Sequence, residues 1–452
     1  MAMDPTLYCG LWRSPFEALG PLFATLPGIH LAPWQLVVLA LAPVCLFGPG
    51  AARRRAWPLD AAILASVASI AVTFAWGWMR GGSPYQAYYQ LWRFLVALLV
   101  AQMLVAVMTS SRHLKMLGLT VLIAALVRGT LAMYFFWGIV RGGIEPTPPY
   151  MTNHDDSLLF VAGLLVALSW ALARRTPAAW LAAVLISAHL LYAITLNNRR
   201  LAWIELILAV ALAYCILPRG RVRRRVNQML LVAGPVVLLY VVVGWNRPGA
   251  LFAPLGALST AASYEDASAL AREEEIRNLL YTLSRTSNPL TGMGWGMPYQ
   301  KVTSIYANFG AEWSQYAYLP HNSLLGVAVF GGLLGIFGIW LVVPVTAFLA
   351  MRGYRGSTRA VHSAAAMTSL CILPAYGVQC YGDIGFQSLT CGLILGAALA
   401  TAGKVSTWEA VRPGAGKGRS RDVLRPAGPV AEVVESSSAG TRSAAPVSGE
   451  RG

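Results

Sequence analysis

Charged residues are scarce in this chain, and acidic ones are the scarcest. Only 12% of the 452 residues carry charge, roughly half of what a soluble domain carries. With 56% hydrophobic residues and a mean hydropathy of +0.56, that excludes an ordinary water-soluble globule. The six cysteines (Cys9, Cys45, Cys215, Cys371, Cys380, Cys391) are scattered, mostly inside apolar runs. They lack metal-ligand or disulfide spacing and read as small core residues. The first thirty residues lack a basic stretch followed by an apolar core, so no cleaved signal peptide is expected. No internal repeat is evident, which weighs against an inverted-repeat transporter. The formal net charge of +16 does not point to nucleic acid, because the basic residues sit in short clusters between apolar runs, as topology signals do.

What is present is a series of apolar runs of about 17 to 25 residues, long enough to cross a hydrocarbon core of roughly 30 Å. They predict an all-α, polytopic membrane protein with about eleven spans. The spans lie near Leu31–Phe47, Leu59–Met79, Ala87–Met108, Met116–Val140, Ser157–Leu172, Ala178–Leu196, Leu201–Leu217, Gln228–Val243, Asn322–Ala350, Val361–Tyr381 and Gly385–Ala402. The segment 1–30, broken by Pro15, Pro21 and Pro27, reads as an interfacial helix or a poor extra span. Residues 31–244 then hold spans one to eight, 245–321 one long loop, 322–402 spans nine to eleven, and 403–452 a disordered tail rich in Gly, Ser, Pro, Arg and Ala. Arg53–Arg55, Arg112 with Lys115, Arg174–Arg175, Arg219–Arg225 and Arg352–Arg359 all fall on one side, which the positive-inside rule makes the cytoplasm. The long loop is too long for a passive connector. It contains a polar stretch, Tyr264–Ser284, with helical character.

Several polar groups on the outer side are candidates for chemistry. Asn197-Asn198-Arg199-Arg200 places two arginines against the charge bias of every other loop. They are either snorkelling anchors or, the reading we favour, an anion site that grips phosphate oxygens. Glu205, about one turn further in, is placed to orient one of them. In the loop helix, Arg272, with Arg277 and Arg285 as alternatives, is followed by Glu275 and Asn278 at helical spacing. Asn288–Gly296 (NPLTGMGWG) is a helix stop with alternating glycines, either a plain turn or a cradle of exposed N–H groups for an anion. No Lys-Ser/Thr follows it, so a nucleotide P-loop is excluded. His321 stands at the start of an apolar helix, either as a helix-start polar residue or as a general base, with Asn322 or Ser323 as cap. Asn153-His154-Asp155-Asp156 reads as acidic helix capping rather than a divalent-cation site. Arg128 lies inside an apolar run, where a charge must be paired or wet.

This combination resembles the O-antigen ligase and O-antigen polymerase family of bacterial envelope glycosyltransferases. The resemblance rests on the outward arginine turn Asn197–Arg200, the Arg-x-x-Glu-x-x-Asn-Leu pattern from Arg272, then NPLTGMGWG and HNSLL…FGGLLG, in that order, across roughly 153–350. It implies a C-type membrane glycosyltransferase of the bacterial inner membrane with a periplasmic site. It further implies an undecaprenyl-pyrophosphate-linked oligosaccharide as donor, an acceptor glycan or lipid-linked repeat, and no metal or nucleotide cofactor. Carried over, His321 and Arg272 become catalytic candidates and Arg199, Arg200 and Arg277 pyrophosphate contacts. Asn322, Gly292, Gly294, Asn153 and His154 become substrate-binding candidates. The family's Ser-Arg-Gly-like turn is replaced here by Asn-Asn-Arg-Arg, which leaves Arg199 and Arg200 as equal alternatives. Polymerisation of a surface polysaccharide or O-antigen repeat is the favoured expectation. Ligation to lipid A-core is the alternative, and a flippase or transporter is the rival from another class.

Overall fold

The computed structural model describes residues 33–48, 56–138, 140–142, 150–245, 267–286, 288–303 and 317–410, with isolated positions 247, 252, 255, 256 and 259 between them. Segment 1–30, the cluster Arg53–Arg55 and the tail from residue 411 lie outside the described residues. Every one of the eleven apolar runs is helical: α1 Pro33–Phe47, α2 Trp57–Met79, α3 Pro84–Val107, α4 Ser111–Gly138, α5 Asp156–Arg174, α6 Pro177–Asn197, α7 Arg200–Ile216 and α8 Arg221–Gly244, then, after the loop helix α9 Ala267–Ser284, the run α10 Ser323–Leu333 with α11 Val342–Gly356, α12 Ala360–Gly382 and α13 Leu389–Ala410. Eight of these, counting Ser323–Gly356 as one, are long and apolar enough to cross a membrane. The α8 segment makes a ninth if its two halves, bent by 41° beside Pro235, are one span, the bend proline imposes when it removes a ladder donor. The α1 and α7 helices are shorter, at 15 and 17 residues. The last helix runs two turns past its expected end at Ala402: Lys404 is buried with its ammonium over the Trp408 ring, and the Thr407 hydroxyl bonds the Gly403 carbonyl.

Burial separates centre from rim. In α5 and α13, 78% of the membrane-crossing stretch is buried, against 17% in α4 and 22% in α6. The α12 helix packs on α5, α7, α11 and α13 and forms the axis of the bundle. Its two ends meet different company. At its amino end His362 Nδ1 contacts Glu409 Oε1 at 2.6 Å and Nε2 contacts Ser111 Oγ at 2.8 Å, which gathers the starts of α4 and α12 with the end of α13. The basic clusters Arg112–Lys115, Arg174–Arg175 and Arg352–Arg359 belong to this same end. At the other end lie Asp383, the Asn197–Arg200 turn, the start of α5 and His321.

The run from Ser323 to Gly356 is broken. Gly332 has φ 56° and ψ −144°, and a π turn at Leu334–Gly338 follows. The break frees backbone groups inside an apolar bundle, where each must find a partner. The NPLTGMGWG turn supplies them: Met293 and Gly294 N–H donate to the Val329 and Phe330 carbonyls, and Leu333 and Leu334 N–H donate to the Pro289 and Leu290 carbonyls, all at 2.9–3.0 Å. A Cβ on Gly294 would collide with the backbone of Gly77, and one on Gly332 with that of Pro289 and Gly292. Trp295 drops into the core, 1% exposed, with its indole N–H on Thr73 Oγ1 at 2.8 Å and its ring stacked on Phe386.

Candidate active site

The loop is held to the bundle by Gln90 of α3, which is fully buried. Its Oε1 accepts from Gly296 N–H at 2.7 Å and its Nε2 donates to the Tyr318 carbonyl at 2.8 Å. One side chain thus fixes both ends of segment 296–318 and sets where Pro320 and His321 fall. The loop helix α9 docks through Asn278, whose amide accepts from Val302 and Thr303 N–H and donates to the Thr303 carbonyl. One turn earlier Glu275, 2% exposed, takes Asn322 N–H on Oε1 and His321 Nδ1 on Oε2, each at 3.0 Å. Asn322 Oδ1 caps α10 through Leu325 N–H at 3.0 Å. A carboxylate on Nδ1 selects the tautomer with the proton there and leaves Nε2 as the basic atom.

One further turn back, Arg272 lines a small pocket with Arg199, Arg200, His154, Tyr150 and Asp383. The turn that presents the arginine pair depends on Asn198, whose φ of 48° is a left-handed conformation that Asn tolerates. Neighbouring Asn197 accepts from Thr152 N–H at 2.8 Å and ties the turn to the start of α5. The Arg199 guanidinium carbon sits over the Tyr150 ring, 3.2 Å from its centroid. His154 Nδ1 is 2.6 Å from Asp383 Oδ2, and Asp383 Oδ1 accepts from Ile384 N–H at 2.8 Å.

The electrostatics follow this packing. Burial pushes the Arg199 guanidinium down to about 10, with Tyr150 and Asp383 opposing and Arg272 adding to the fall; it stays charged at neutral pH. Burial lowers the His321 pKa, but the Glu275 hydrogen bond and charge, with Asp383 behind them, outweigh it and hold the imidazole above its usual value. Burial would raise Asp383, yet His154 and the Ile384 N–H keep its carboxyl below the ordinary range. The result is a pocket with three guanidiniums, one carboxylate and an imidazole, beside a second imidazole coupled electrostatically to Arg272 and Asp383.

The structure therefore brings together Arg199, Arg200, Arg272 and His154, with His321 alongside. Other expected residues lie elsewhere. Arg277 is exposed on the far face of α9 and pairs with Glu273. Gly292 and Gly294 do not cradle an anion: their N–H groups are bonded to the Asn288 and Phe330 carbonyls, and the loop packs on helices α2 and α10. Asn322 is a helix cap, and the Asn153 carbonyl accepts from Asp156 N–H at the start of α5. The Asp155 side chain does not cap that helix but accepts from Ser388 Oγ at 2.8 Å, while Asp156 pairs with Arg128 at 2.8 Å, which accounts for the buried charge in α4. Among the described residues Glu205 does not orient an arginine, since neither of its buried oxygens has a hydrogen bond there. Three residues were missed as site members: Glu275, Tyr150 and Asp383. Asp383 did leave a signal, as an acid at the outer end of two apolar runs in a chain with few acids.

The family model described as O-antigen ligase matches residues 185–340, about a third of the chain. That stretch carries the arginine turn, the loop helix, the glycine turn and His321. No curated protein matches the chain.

Proposed function

We propose that this protein is a membrane glycosyltransferase that moves a glycan from an undecaprenyl-pyrophosphate carrier to an acceptor sugar hydroxyl. The cationic pocket of Arg199, Arg200 and Arg272, beside a His321 held by Glu275, carries the reading. The guanidiniums grip the diphosphate in bidentate fashion and stabilise the charge that develops as the anomeric C–O bond breaks, an electrostatic effect that is large in a water-poor site. His321 Nε2 takes the proton of the attacking hydroxyl as the new glycosidic bond forms, and Glu275 stabilises the resulting imidazolium. The donor leaves as the polyprenyl pyrophosphate. With the basic clusters at the opposite end of the bundle, the pocket faces the periplasm and the protein resides in the bacterial inner membrane.

Two readings of the acceptor follow. Chain growth onto a new lipid-linked repeat is polymerisation of an exopolysaccharide or O-antigen; transfer to lipid A-core is ligation, the reading that the description of the matching family model favours. Purified protein in liposomes with a lipid-linked glycan should lengthen or transfer it, and His321→Ala should lower the rate by about 10²–10⁴-fold, the usual worth of a general base. Unchanged turnover in that variant would remove the role given to His321. In a deletion strain, single-repeat products indicate a lost polymerase and unattached long polymer a lost ligase.

A further inference from the structure

A second, larger cavity lies in the other half of the bundle. It is walled by residues 114–122 of α4, 166–170 of α5, 179–186 of α6, 361–372 of α12 and 394–401 of α13. On α12 the lining positions 361, 364, 365, 368, 369 and 372 form one helical face, about 16 Å long at 1.5 Å per residue. Residues 373–382 separate it from Asp383, so it does not join the cationic pocket. Its walls owe their shape to small residues on facing helices, including Gly118, Ala183, Ala364, Ala365 and Ala398. Two of the five walls, α4 and α6, are the least buried of the eight helices long and apolar enough to cross a membrane. An apolar slot at membrane depth with missing contacts on its lining favours hydrocarbon that restores them. The slot starts in the first turns of α4 and α12, the basic end. Lys115 lines it and is exposed, Arg112 lies one turn earlier, and Arg359 reaches the same end by donating to Ser111 Oγ at 3.4 Å. Cations above a hydrocarbon slot match an amphiphile with an anionic head.

We propose that this cavity binds one acyl chain of an anionic phospholipid, with Lys115 and Arg112 holding its phosphate-bearing head. The chain locks the peripheral helices α4 and α6 against the buried helices α5, α12 and α13. The polyprenyl carrier is the poorer fit, because the slot's cationic rim is at the end of the bundle opposite the diphosphate pocket. Delipidated full-length protein in detergent would be offered dioleoyl phosphatidylglycerol, dioleoyl phosphatidylcholine and undecaprenyl phosphate, with bound adducts counted by native mass spectrometry and melting followed in parallel. Phosphatidylglycerol is expected to be retained severalfold more than phosphatidylcholine and to raise the melting temperature. A Cβ at Gly118 would meet only Val166 Cγ1, at 3.7 Å, so Gly118→Phe should fill the slot and abolish that retention; Ala183→Leu fills it from α6 and serves if the first variant does not fold. Lys115→Ala with Arg112→Ala should bring phosphatidylglycerol down to the phosphatidylcholine level. Equal retention of the two phospholipids, unchanged adducts in a folded slot-filling variant, or preference for undecaprenyl phosphate would each overturn the proposal. None of these readouts depends on glycosyl transfer.

Discussion

The imidazole of His321 must be neutral to accept a proton, yet Glu275 favours its charged form. The rate should therefore rise with pH through a pKa lying above the ordinary histidine value. Glu275→Gln removes the partner, so the acidic limb of the rate profile should shift to lower pH while the rate at its plateau falls. The stability effect has the opposite pH sense: a raised folded-state pKa stabilises below the unfolded pKa and loses that effect as pH rises through the folded value. Melting curves of Glu275→Gln should thus show their largest deficit in acid and converge with the wild type in base. At the phosphate end, Arg272→Ala should cost about 10²–10³-fold in rate, as loss of one transition-state donor does. Arg277→Ala should leave transfer unchanged and stability within about 0.5 kcal/mol. Sequence alone offered Arg272 and Arg277 as alternatives because both lie on one helix. Which face of α9 meets the bundle is decided by Asn278 and Glu275 docking on segments far along the chain.

Among the elements, the broken span and its turn form a single unit. Gln90→Leu would strand the Gly296 N–H and the Tyr318 carbonyl, at about 1–3 kcal/mol for each buried group left unpaired. It should also slow transfer, because segment 296–318 ends just before Pro320 and His321; thermal melting and liposome assays check both effects. The apolar runs were legible because hydropathy and length suffice to mark a helix. The use of the glycine turn was not. Alternating glycines advertise exposed N–H groups, but their partners, Val329 and Phe330, lie more than thirty residues later and are available only because Gly332 interrupts its helix. The pairing of Arg128 with Asp156 was hidden for the same reason, since it needs α4 and α5 side by side.

For the molecule as a whole, the two ends of the bundle differ in charge and in what they hold, and sidedness is the property to measure. In sealed vesicles, a cysteine placed at Lys115 and one placed at Tyr150 should react with an impermeant thiol reagent from opposite sides, the former from the cytoplasmic face. The arginine turn and loop helix are made before Ser323–Gly356, the run whose interruption receives the glycine turn. A growing chain therefore carries the arginines of the pocket well before it has the seat that receives the glycine turn. On the proposed function, a truncated chain that stops short of that seat should carry the arginines of the pocket and yet transfer no sugar.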